Sequence, residues 1–205
     1  MIALAKGRFL APSLELLARA GIRFDEEATD SRRLILDSAD GGHRVILVKP
    51  IDTPTYVEYG AADAGIAGRD VLLESGADVL QPLDLGFGQC RIVVAAPNGV
   101  RTLDANRPIV RVATKYPRLA LDYFNARGIP VEIIPLSGSI ELAPLVGLAD
   151  RIVDLVETGQ TLRDNGMKII DVIAESSARL LINRASYQTK RGELGRFRET
   201  LEALV

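Results

Sequence analysis

Apolar and polar positions follow two different periods along the chain. Short runs rich in apolar residues, such as Ile2–Ala5 and Val131–Pro135, predict strands. Between such runs apolar residues recur at helical spacing, as in segment 12–20, which Gly21 ends. We predict strands at 2–5, 33–37, 44–48, 64–67, 91–96, 109–114, 131–135, 152–156, 169–174 and 178–182, and helices at 12–20, from residue 52 onward, and at 69–74, 117–126 and 193–204. Strands that alternate with helices in this way predict an α/β protein with mainly parallel sheets.

The most informative local pattern follows the strand predicted at 152–156, where the chain continues as Thr158-Gly159-Gln160-Thr161. Such a turn points several backbone N–H groups at one place, and the N-terminus of the following helix adds partial positive charge, so the turn suits a phosphate. Thr158 and Thr161 add hydroxyl donors, and Gly159 allows a left-handed backbone. An ordinary strand-to-helix turn with a threonine cap remains an alternative explanation.

Two acidic residues lie beside this turn. Asp154 is within the predicted strand, and Glu157 directly follows it. A carboxylate cannot bind phosphate directly, but it accepts hydrogen bonds from sugar hydroxyls and is a good ligand for Mg²⁺. We therefore expect these two side chains to contact a sugar or a metal rather than the phosphate.

Cations flank several of the other predicted strands. Lys6 and Arg8 come after the first strand, Arg32 precedes the second, and Lys49 follows the third. In open α/β sheets ligands bind at the carboxyl ends of the strands, so these cations could converge on a polyphosphate, although solvated surface positions are the alternative. Asp70 stands in the first turn of the helix after Gly68, where it either contacts a ligand or complements the helix dipole.

Composition narrows the function classes. The chain has 205 residues, with 25 Lys and Arg against 27 Asp and Glu, and the net charge of −2 argues against a nucleic-acid binder that relies on a basic surface. One cysteine excludes an internal disulfide and a multi-cysteine zinc site, and one histidine excludes paired-histidine metal sites. No P-loop motif occurs, and Arg91 stands where a dinucleotide fingerprint beginning at Gly86 would need glycine.

The N-terminus and the hydropathy pattern bear on location. Lys6 and Arg8 follow the first apolar residues at once, whereas a secretory signal needs basic residues before a longer apolar stretch. The longest unbroken apolar run, 92–96, is far shorter than the roughly 20 residues of a membrane helix. We therefore expect a cytoplasmic protein without membrane contact.

A weak internal repeat suggests two similar lobes. The segment beginning at Gly60 and the segment beginning at Gly147 each lead from Gly-x-Ala-Asp into a strand, a loop and a helix. If the chain crosses between lobes near 86–91 and returns near 174–178, the first lobe is discontinuous. We therefore predict one lobe from 1–90 plus 175–205, and a second lobe from 91–174 that carries the phosphate-binding turn.

The stretch from Glu141 to Leu162 combines residues in a specific spacing: Glu141, Gly147, Ala149, Ile152, Asp154, Leu155, Thr158, Gly159, Thr161 and Leu162. This combination resembles the signature of the ATP phosphoribosyltransferase family, which catalyses the first step of histidine biosynthesis. Segments 4–8 and 65–70 and the pair Cys90-Arg91 are also similar to that family, so the resemblance covers essentially the whole chain.

The resemblance implies a fold and a partner. The fold would be two α/β lobes similar to type II periplasmic binding proteins, with the site in the cleft between the lobes. The chain ends at Val205, directly after the last predicted helix, so it resembles the short form of the family, which lacks a C-terminal regulatory domain. The short form implies a regulatory subunit related to histidyl-tRNA synthetase, assembled with it as a hetero-octamer and conveying feedback inhibition by histidine.

The resemblance also implies a reaction, in which N1 of ATP attacks C1 of 5-phosphoribosyl 1-diphosphate (PRPP) and pyrophosphate leaves. The turn at 158–161 would bind the 5-phosphate of PRPP and Asp154 the ribose hydroxyls. Glu141 would be a second candidate for the ribose or the metal. Mg²⁺ would be bound to the substrate, and the sequence assigns neither a metal ligand set nor a general base.

The remaining candidates would serve the other phosphates of this reaction. Lys6, Arg8, Arg32 and Lys49 would meet the pyrophosphate or the triphosphate of ATP, and Asp70 would contact the nucleotide. From sequence alone, a two-lobed module that only binds or senses a small molecule is an alternative, since no covalent nucleophile is evident. Another glycosyl acceptor on the same scaffold is a third possibility.

Overall fold

The computed structural model describes residues 1–25, 33–100 and 109–205. Strands and helices follow one another along these ranges in an α/β pattern. The elements are β1 (Ile2–Ala5), α1 (Leu10–Arg19), β2 (Ile35–Asp37), β3 (Arg44–Val48), a 3₁₀ turn (Pro50–Asp52), α2 (Thr53–Glu58), β4 (Ala64–Gly68), α3 (Arg69–Ser75), β5 (Leu80–Asp84), β6 (Cys90–Pro97), β7 (Val110–Thr114), α4 (Pro117–Asn125), β8 (Val131–Pro135), α5 (Leu142–Leu145), β9 (Arg151–Val156), α6 (Gln160–Asp164), β10 (Met167–Ser176), β11 (Ala178–Ile182), α7 (Arg184–Thr189) and α8 (Arg191–Glu202).

The chain divides into two compact units. Unit 1 contains Met1–Gly88 and Ser177–Val205, and unit 2 contains Gln89–Ser176. Residues 89–90 and 175–176, which the sequence analysis placed in the first lobe, lie in unit 2. The reason is strand pairing, because β6 begins at Cys90 and is paired with β10 as far as Ser176.

Unit 1 is built around a six-stranded sheet in the order β2-β3-β1-β4-β11-β5. Strand β1 is wholly buried and lies between β3 and β4, with which it is parallel. Leu4, Ile66 and Leu180 are fully buried on this sheet, and the core continues into α1 through Leu17 and into α8 through Leu201. Burying each such side chain stabilises the unit by about 1.5–3 kcal/mol, which explains why these apolar runs take the central positions.

Unit 2 has a five-stranded sheet in the order β10-β6-β9-β7-β8. Successive residues of β9 face opposite sides of this sheet, so Val153 packs in one core and Ile152 in another. Helix α4 covers the first core with Phe124, while α6 covers the second with Leu162. The two buried faces account for the continuous apolar character of β6 and β9 in the sequence.

Both sheets are mixed, so the prediction of mainly parallel sheets is corrected. In unit 1 the pairs β2/β3, β4/β11 and β11/β5 are antiparallel, and in unit 2 the pairs β6/β10 and β6/β9 are antiparallel. Strands β6, β10 and β11 carry the chain into unit 2 and back into unit 1. Their direction is therefore set by where the chain crosses, which the local pattern does not encode.

The predicted strands and helices within the described ranges are observed, with bounds that differ by a few residues. Three elements were not predicted: β5, α5 and α7. Strand β5 contains Pro82 and is the edge strand of its sheet, where proline is tolerated because no neighbour needs its N–H. Within the described part of the chain, no helix combines the length and the apolar character needed to cross a membrane.

Candidate functional site

The turn between β9 and α6 has a defined backbone conformation. Strand β9 ends at Val156 and α6 begins at Gln160, with Gly159 at φ 76° and ψ 10° between them. Val156 and Leu162 are both buried in the same core cluster, so each end of the turn is anchored. A residue with a Cβ is disfavoured in the left-handed conformation of Gly159, so this geometry favours glycine.

The start of α6 leaves backbone amides without partners in the helix, next to exposed hydroxyl side chains. The first hydrogen bond of α6 runs from Arg163 N–H to the Gly159 carbonyl (3.1 Å), so the amides of residues 160–162 have no partner within the helix. The Gln160 N–H makes a long contact of 3.3 Å with Thr158 Oγ1. Thr158, Gln160 and Thr161 are exposed. An anion at this turn would therefore meet both N–H groups and threonine hydroxyls, which is the chemistry that a phosphate requires.

Side chains on α6 brace the turn. Arg163 Nη1 donates to the Thr158 carbonyl (3.0 Å), and its Nη2 donates to Gln160 Oε1 (2.9 Å). Gln160 Nε2 donates to Asp164 Oδ1 (2.5 Å). The Gln160 side chain is therefore part of the scaffold, and its backbone N–H is the group suited to a ligand. Arg163 was not predicted, although its place three residues after Gln160 on one helix is a signal that could have identified it.

Asp154 lies near the end of β9 and is ordered by two contacts. The Leu155 N–H donates to Asp154 Oδ1 (2.8 Å), and Lys115 Nζ lies 3.3 Å from the same oxygen. The Asp154 side chain is 19% exposed and that of Lys115 is 39% exposed. Lys115 was not among the predicted site residues, although it directly follows an apolar strand.

Glu141 lies in the loop that follows β8. Its neighbours Ile140 and Ala143 are buried in the core cluster that also anchors the β9–α6 turn, whereas Glu141 itself is half-buried. Ser139 in the same loop has φ 49°, a conformation that side-chain-bearing residues seldom adopt. The loop is therefore irregular and polar, and the buried side chains of Ile140 and Ala143 anchor it to the core.

The three parallel strands of unit 2 bring these groups to one edge. In the register of the sheet Thr114 of β7 is level with Pro135 of β8 and with Val153 of β9. The carboxyl ends of neighbouring parallel strands meet at the same edge, which is where open α/β sheets bind ligands. This edge carries Lys115, the Glu141 loop, Asp154 and the turn at 158–161.

Unit 1 has a corresponding edge with positive charge. Ala5 of β1 is level with Val48 of β3, and the Lys6 N–H donates to the Val48 carbonyl (2.8 Å). Lys6 and Lys49 therefore leave neighbouring strands at the same edge, and both are exposed.

Arg8 lies on the same segment as Lys6 and is also exposed. It follows Gly7, which has φ 87°, and its guanidinium carbon lies 4.8 Å from the centre of the Phe9 ring. Arg32, the fourth predicted cation, falls outside the described residues. Its proposed contact with a phosphate therefore stays a prediction.

Asp70 is placed at this edge of unit 1 but is only 3% exposed. Its carboxylate folds back over the start of α3, so that a Cβ added to Gly68 would lie 2.2 Å from Asp70 Oδ1. This position favours the role of a first-turn acidic residue that complements the helix dipole. Contact between Asp70 and a nucleotide stays a prediction.

An ionic cluster lies beside the start of α3. Asp84 accepts hydrogen bonds from the Ser177 hydroxyl (2.8 and 2.9 Å) and lies 2.7 Å from Arg179 Nη2. Burial raises the pKa of Asp84, but hydrogen bonds from the Gly86 N–H and Ser177 and the nearby guanidinium charges outweigh this and leave the pKa lowered. The Asp84 carboxylate is therefore ionised at neutral pH and neutralises cations at this end of unit 1.

Comparisons with known proteins point to one family. A sequence model of ATP phosphoribosyltransferase (HisG) matches residues 49–203. An ATP phosphoribosyltransferase of Syntrophotalea carbinolica is 51% identical over 205 residues, which cover 99% of this chain and 94% of the relative. The structure of an ATP phosphoribosyl transferase (HisG:HisZ) complex from Thermotoga maritima is similar with a TM-score of 0.87 and 36% identity, covering 98% of this chain and 96% of that chain.

A more distant likeness concerns the fold alone. The periplasmic aliphatic sulphonate binding protein SsuA from Escherichia coli is similar with a TM-score of 0.58 and 14% identity, covering 98% of this chain and 70% of that chain. The predicted likeness of a two-lobed α/β chain to periplasmic binding proteins is thereby confirmed. At this identity the match carries no inference about activity.

Proposed function

The chain belongs to the ATP phosphoribosyltransferase family, and we propose from its structure which residues carry out the reaction of that family. The enzyme transfers the phosphoribosyl group of PRPP to N1 of ATP, releasing pyrophosphate, in the first step of histidine biosynthesis. It is a glycosyltransferase, and the alternative of a module that only binds or senses a small molecule is not favoured.

We assign the 5-phosphate of PRPP to the turn at 158–161. The observation that carries this assignment is the left-handed Gly159 directly before α6, where the first-turn amides lack partners within the helix and Thr158 and Thr161 are exposed. A phosphate there would receive charge-assisted hydrogen bonds, which are about twice as strong as neutral ones. The brace formed by Arg163 keeps the turn in this form before substrate arrives.

We assign the ribose hydroxyls to Asp154, with Glu141 as the second candidate. A carboxylate accepts hydrogen bonds from hydroxyls and repels phosphate, so Asp154 and the turn select different ends of the same substrate. Sugar transfer passes through an oxocarbenium-like centre, and no covalent nucleophile is needed. Holding the phosphate and the ribose at two fixed points orients C1 for attack, which is how positioning contributes to the rate.

We assign the remaining negative charge of the substrates to the edge of unit 1. Lys6, Arg8 and Lys49 would contact the pyrophosphate of PRPP or the triphosphate of ATP, and Arg32 is proposed with them from the sequence. The support is that Lys6 and Lys49 are exposed and leave neighbouring parallel strands. Preorganised cations stabilise the charge that develops on a leaving group, which lowers the barrier.

We propose that the carboxylates near the turn accommodate a Mg²⁺ ion carried by the diphosphate of the substrate. Across the described ranges, no group of three or more His, Cys, Asp and Glu side chains could hold a metal ion. Asp154 and Glu157 nevertheless offer carboxylate oxygens, the ligands that Mg²⁺ prefers, and so fit an ion shared with the substrate. When bound, Mg²⁺ neutralises negative charge on the pyrophosphate.

A cytoplasmic location stays our prediction from the sequence, in keeping with a reaction that consumes ATP.

We also propose that the chain assembles with a regulatory subunit as a hetero-octamer. The support is the Thermotoga maritima structure, a HisG:HisZ complex whose transferase resembles this chain over 98% of its length. We expect the isolated chain to be insensitive to histidine and the assembly to be inhibited by it. Pyrophosphate release measured with and without the partner tests this, and inhibition of the isolated chain by micromolar histidine would contradict it.

The assignment of the 5-phosphate is tested by Thr161→Ala. Loss of one hydrogen bond to a charged group costs about 1.5–3 kcal/mol, so PRPP affinity should fall roughly 10- to 150-fold while ATP affinity is unchanged. Calorimetric titration with PRPP and Mg²⁺ measures the effect. Thr200→Ala is the matched control, because Thr200 is exposed on α8 of unit 1. Normal PRPP binding by the Thr161 variant would disprove the assignment.

A further inference from the structure

We propose that Lys115 is a positioning residue for the transferase reaction, and that it holds Asp154 in the orientation in which this carboxylate accepts the ribose hydroxyls of PRPP. The proposal rests on the role assigned to Asp154 above. It follows from an ion pair between residues that are far apart in the sequence but lie on neighbouring strands, β7 and β9.

The backbone that carries Lys115 is fixed to β9. Thr114 is fully buried, and its hydroxyl donates to the Val153 carbonyl (2.7 Å) while accepting from the Tyr116 N–H (2.9 Å). The paired register of β7 and β9 ends at Thr114 and Val153. The Thr114 hydroxyl therefore adds a side-chain hydrogen bond between the two strands, one residue before Lys115 and Asp154.

The Lys115 ammonium has two neighbours, a carboxylate and an aromatic ring. Its Nζ lies 3.3 Å from Asp154 Oδ1 and 5.4 Å from the centre of the Tyr116 ring, and Tyr116 is buried. Asp154 Oδ1 also accepts the Leu155 N–H (2.8 Å). The Leu155 N–H and the Lys115 ammonium both contact Oδ1, so the carboxylate plane is set, and we assign the ribose contact to Oδ2.

This ion pair contributes little to folding. Ion pairs between partly exposed side chains, here 39% for Lys115 and 19% for Asp154, add little to protein stability because solvent screens them. The ordering of a long lysine side chain beside a binding carboxylate has a clearer consequence for ligand binding. A carboxylate that is oriented in advance loses less conformational freedom when the ribose binds, so affinity rises.

A double-mutant cycle tests whether Lys115 acts through Asp154. Lys115→Met should weaken PRPP binding about fivefold to tenfold, and Lys115→Arg should restore most of the loss. In the Asp154→Asn background Lys115→Met should have no further effect. PRPP affinity is measured by calorimetry with Mg²⁺, and KM for PRPP and for ATP by pyrophosphate release from the full assembly. KM for PRPP should rise while KM for ATP stays constant, which a merely structural role would not produce.

The control is Lys168→Met, which removes an exposed lysine from β10 of the same unit and should leave PRPP binding unchanged. Equal losses from Lys115→Met in the wild-type and Asp154→Asn backgrounds would overturn the proposal, because Lys115 would then act independently. Unchanged PRPP affinity in Lys115→Met would also overturn it. Unchanged affinity in Asp154→Asn alone would instead refute the ribose role of Asp154.

Discussion

Replacing Gly159 with alanine tests the backbone geometry on which the proposed phosphate site depends. Gly159 has φ +76°, and an added Cβ would lie 3.2 Å from Arg163 Nη1 and 3.6 Å from Val156 Cγ1. The nearer neighbour is the end of a flexible side chain, which can move by a few tenths of an ångström. The main cost is therefore the left-handed backbone, which disfavours alanine by about 1–2 kcal/mol.

The turn can respond to this cost in two ways, and both are measurable. If the substituted residue keeps the positive φ, the variant loses about 1–2 kcal/mol of unfolding free energy. If the backbone relaxes to negative φ, the amides of Gln160 and Thr161 turn away from the phosphate. Each lost hydrogen bond to the charged phosphate then costs about 1.5–3 kcal/mol, so the Kd for PRPP rises at least tenfold. We expect relaxation, because the turn is exposed and the added Cβ would displace the Arg163 guanidinium that braces it.

The assay is calorimetric titration with PRPP and Mg²⁺, combined with urea unfolding. Gly166→Ala is the matched control, because Gly166 has φ +65°, lies just beyond the other end of α6, and has no heavy atom within 4 Å of an added Cβ. Both substitutions place alanine at a glycine with positive φ, but only the Gly159 variant should lose PRPP affinity. Equal PRPP affinity in both variants and in the wild type would refute the proposed phosphate site.

Two further predictions concern unit 1. Gly88 has φ +65°, and Gly88→Ala places a Cβ 2.0 Å from Cε1 of the Phe9 ring, so we expect the free energy of unfolding in urea to fall by about 2–5 kcal/mol. Gly86→Ala is the control, because Gly86 has φ +73° but open space around the added Cβ, and it should lose only about 1–2 kcal/mol. Equal losses in the two variants would contradict the packing argument. Burial raises the pKa of Asp63, but hydrogen bonds led by that from Lys190 outweigh it and lower the pKa to about 2. Asp63 therefore stabilises the fold above its unfolded pKa of 3.8, and this contribution is lost as pH falls toward about 2. Asp63→Asn should cost about 1 kcal/mol at pH 7, discounted for partial exposure, and a difference from wild type that persists at pH 2 would contradict this.

Local pattern was sufficient for the elements that position the site. The runs at 2–5 and 131–135 are strands because apolar residues favour the buried interior of a sheet, and this preference is expressed within a few residues. The turn after β9 was also predictable, because Gly159 and its flanking threonines specify the required backbone and donors over a short stretch. The family signature from Glu141 to Leu162 added the reaction, which no periodicity contains.

Contacts between distant parts of the chain decided the strand directions, the ion pairs and the burial of polar side chains. The antiparallel direction of β6 and β11, the pairing of Lys115 with Asp154 and the burial of Asp70 depend on which strands become neighbours. Strand β5 was not predicted because Pro82 argues against a strand unless it lies at the edge of a sheet, and the edge position is known only from the fold. Side-chain chemistry and turn conformation are properties of short segments. Register and proximity arise only when a whole sheet buries its apolar faces, so only the folded chain brings Lys115, Asp154 and the turn at 158–161 to one edge of unit 2.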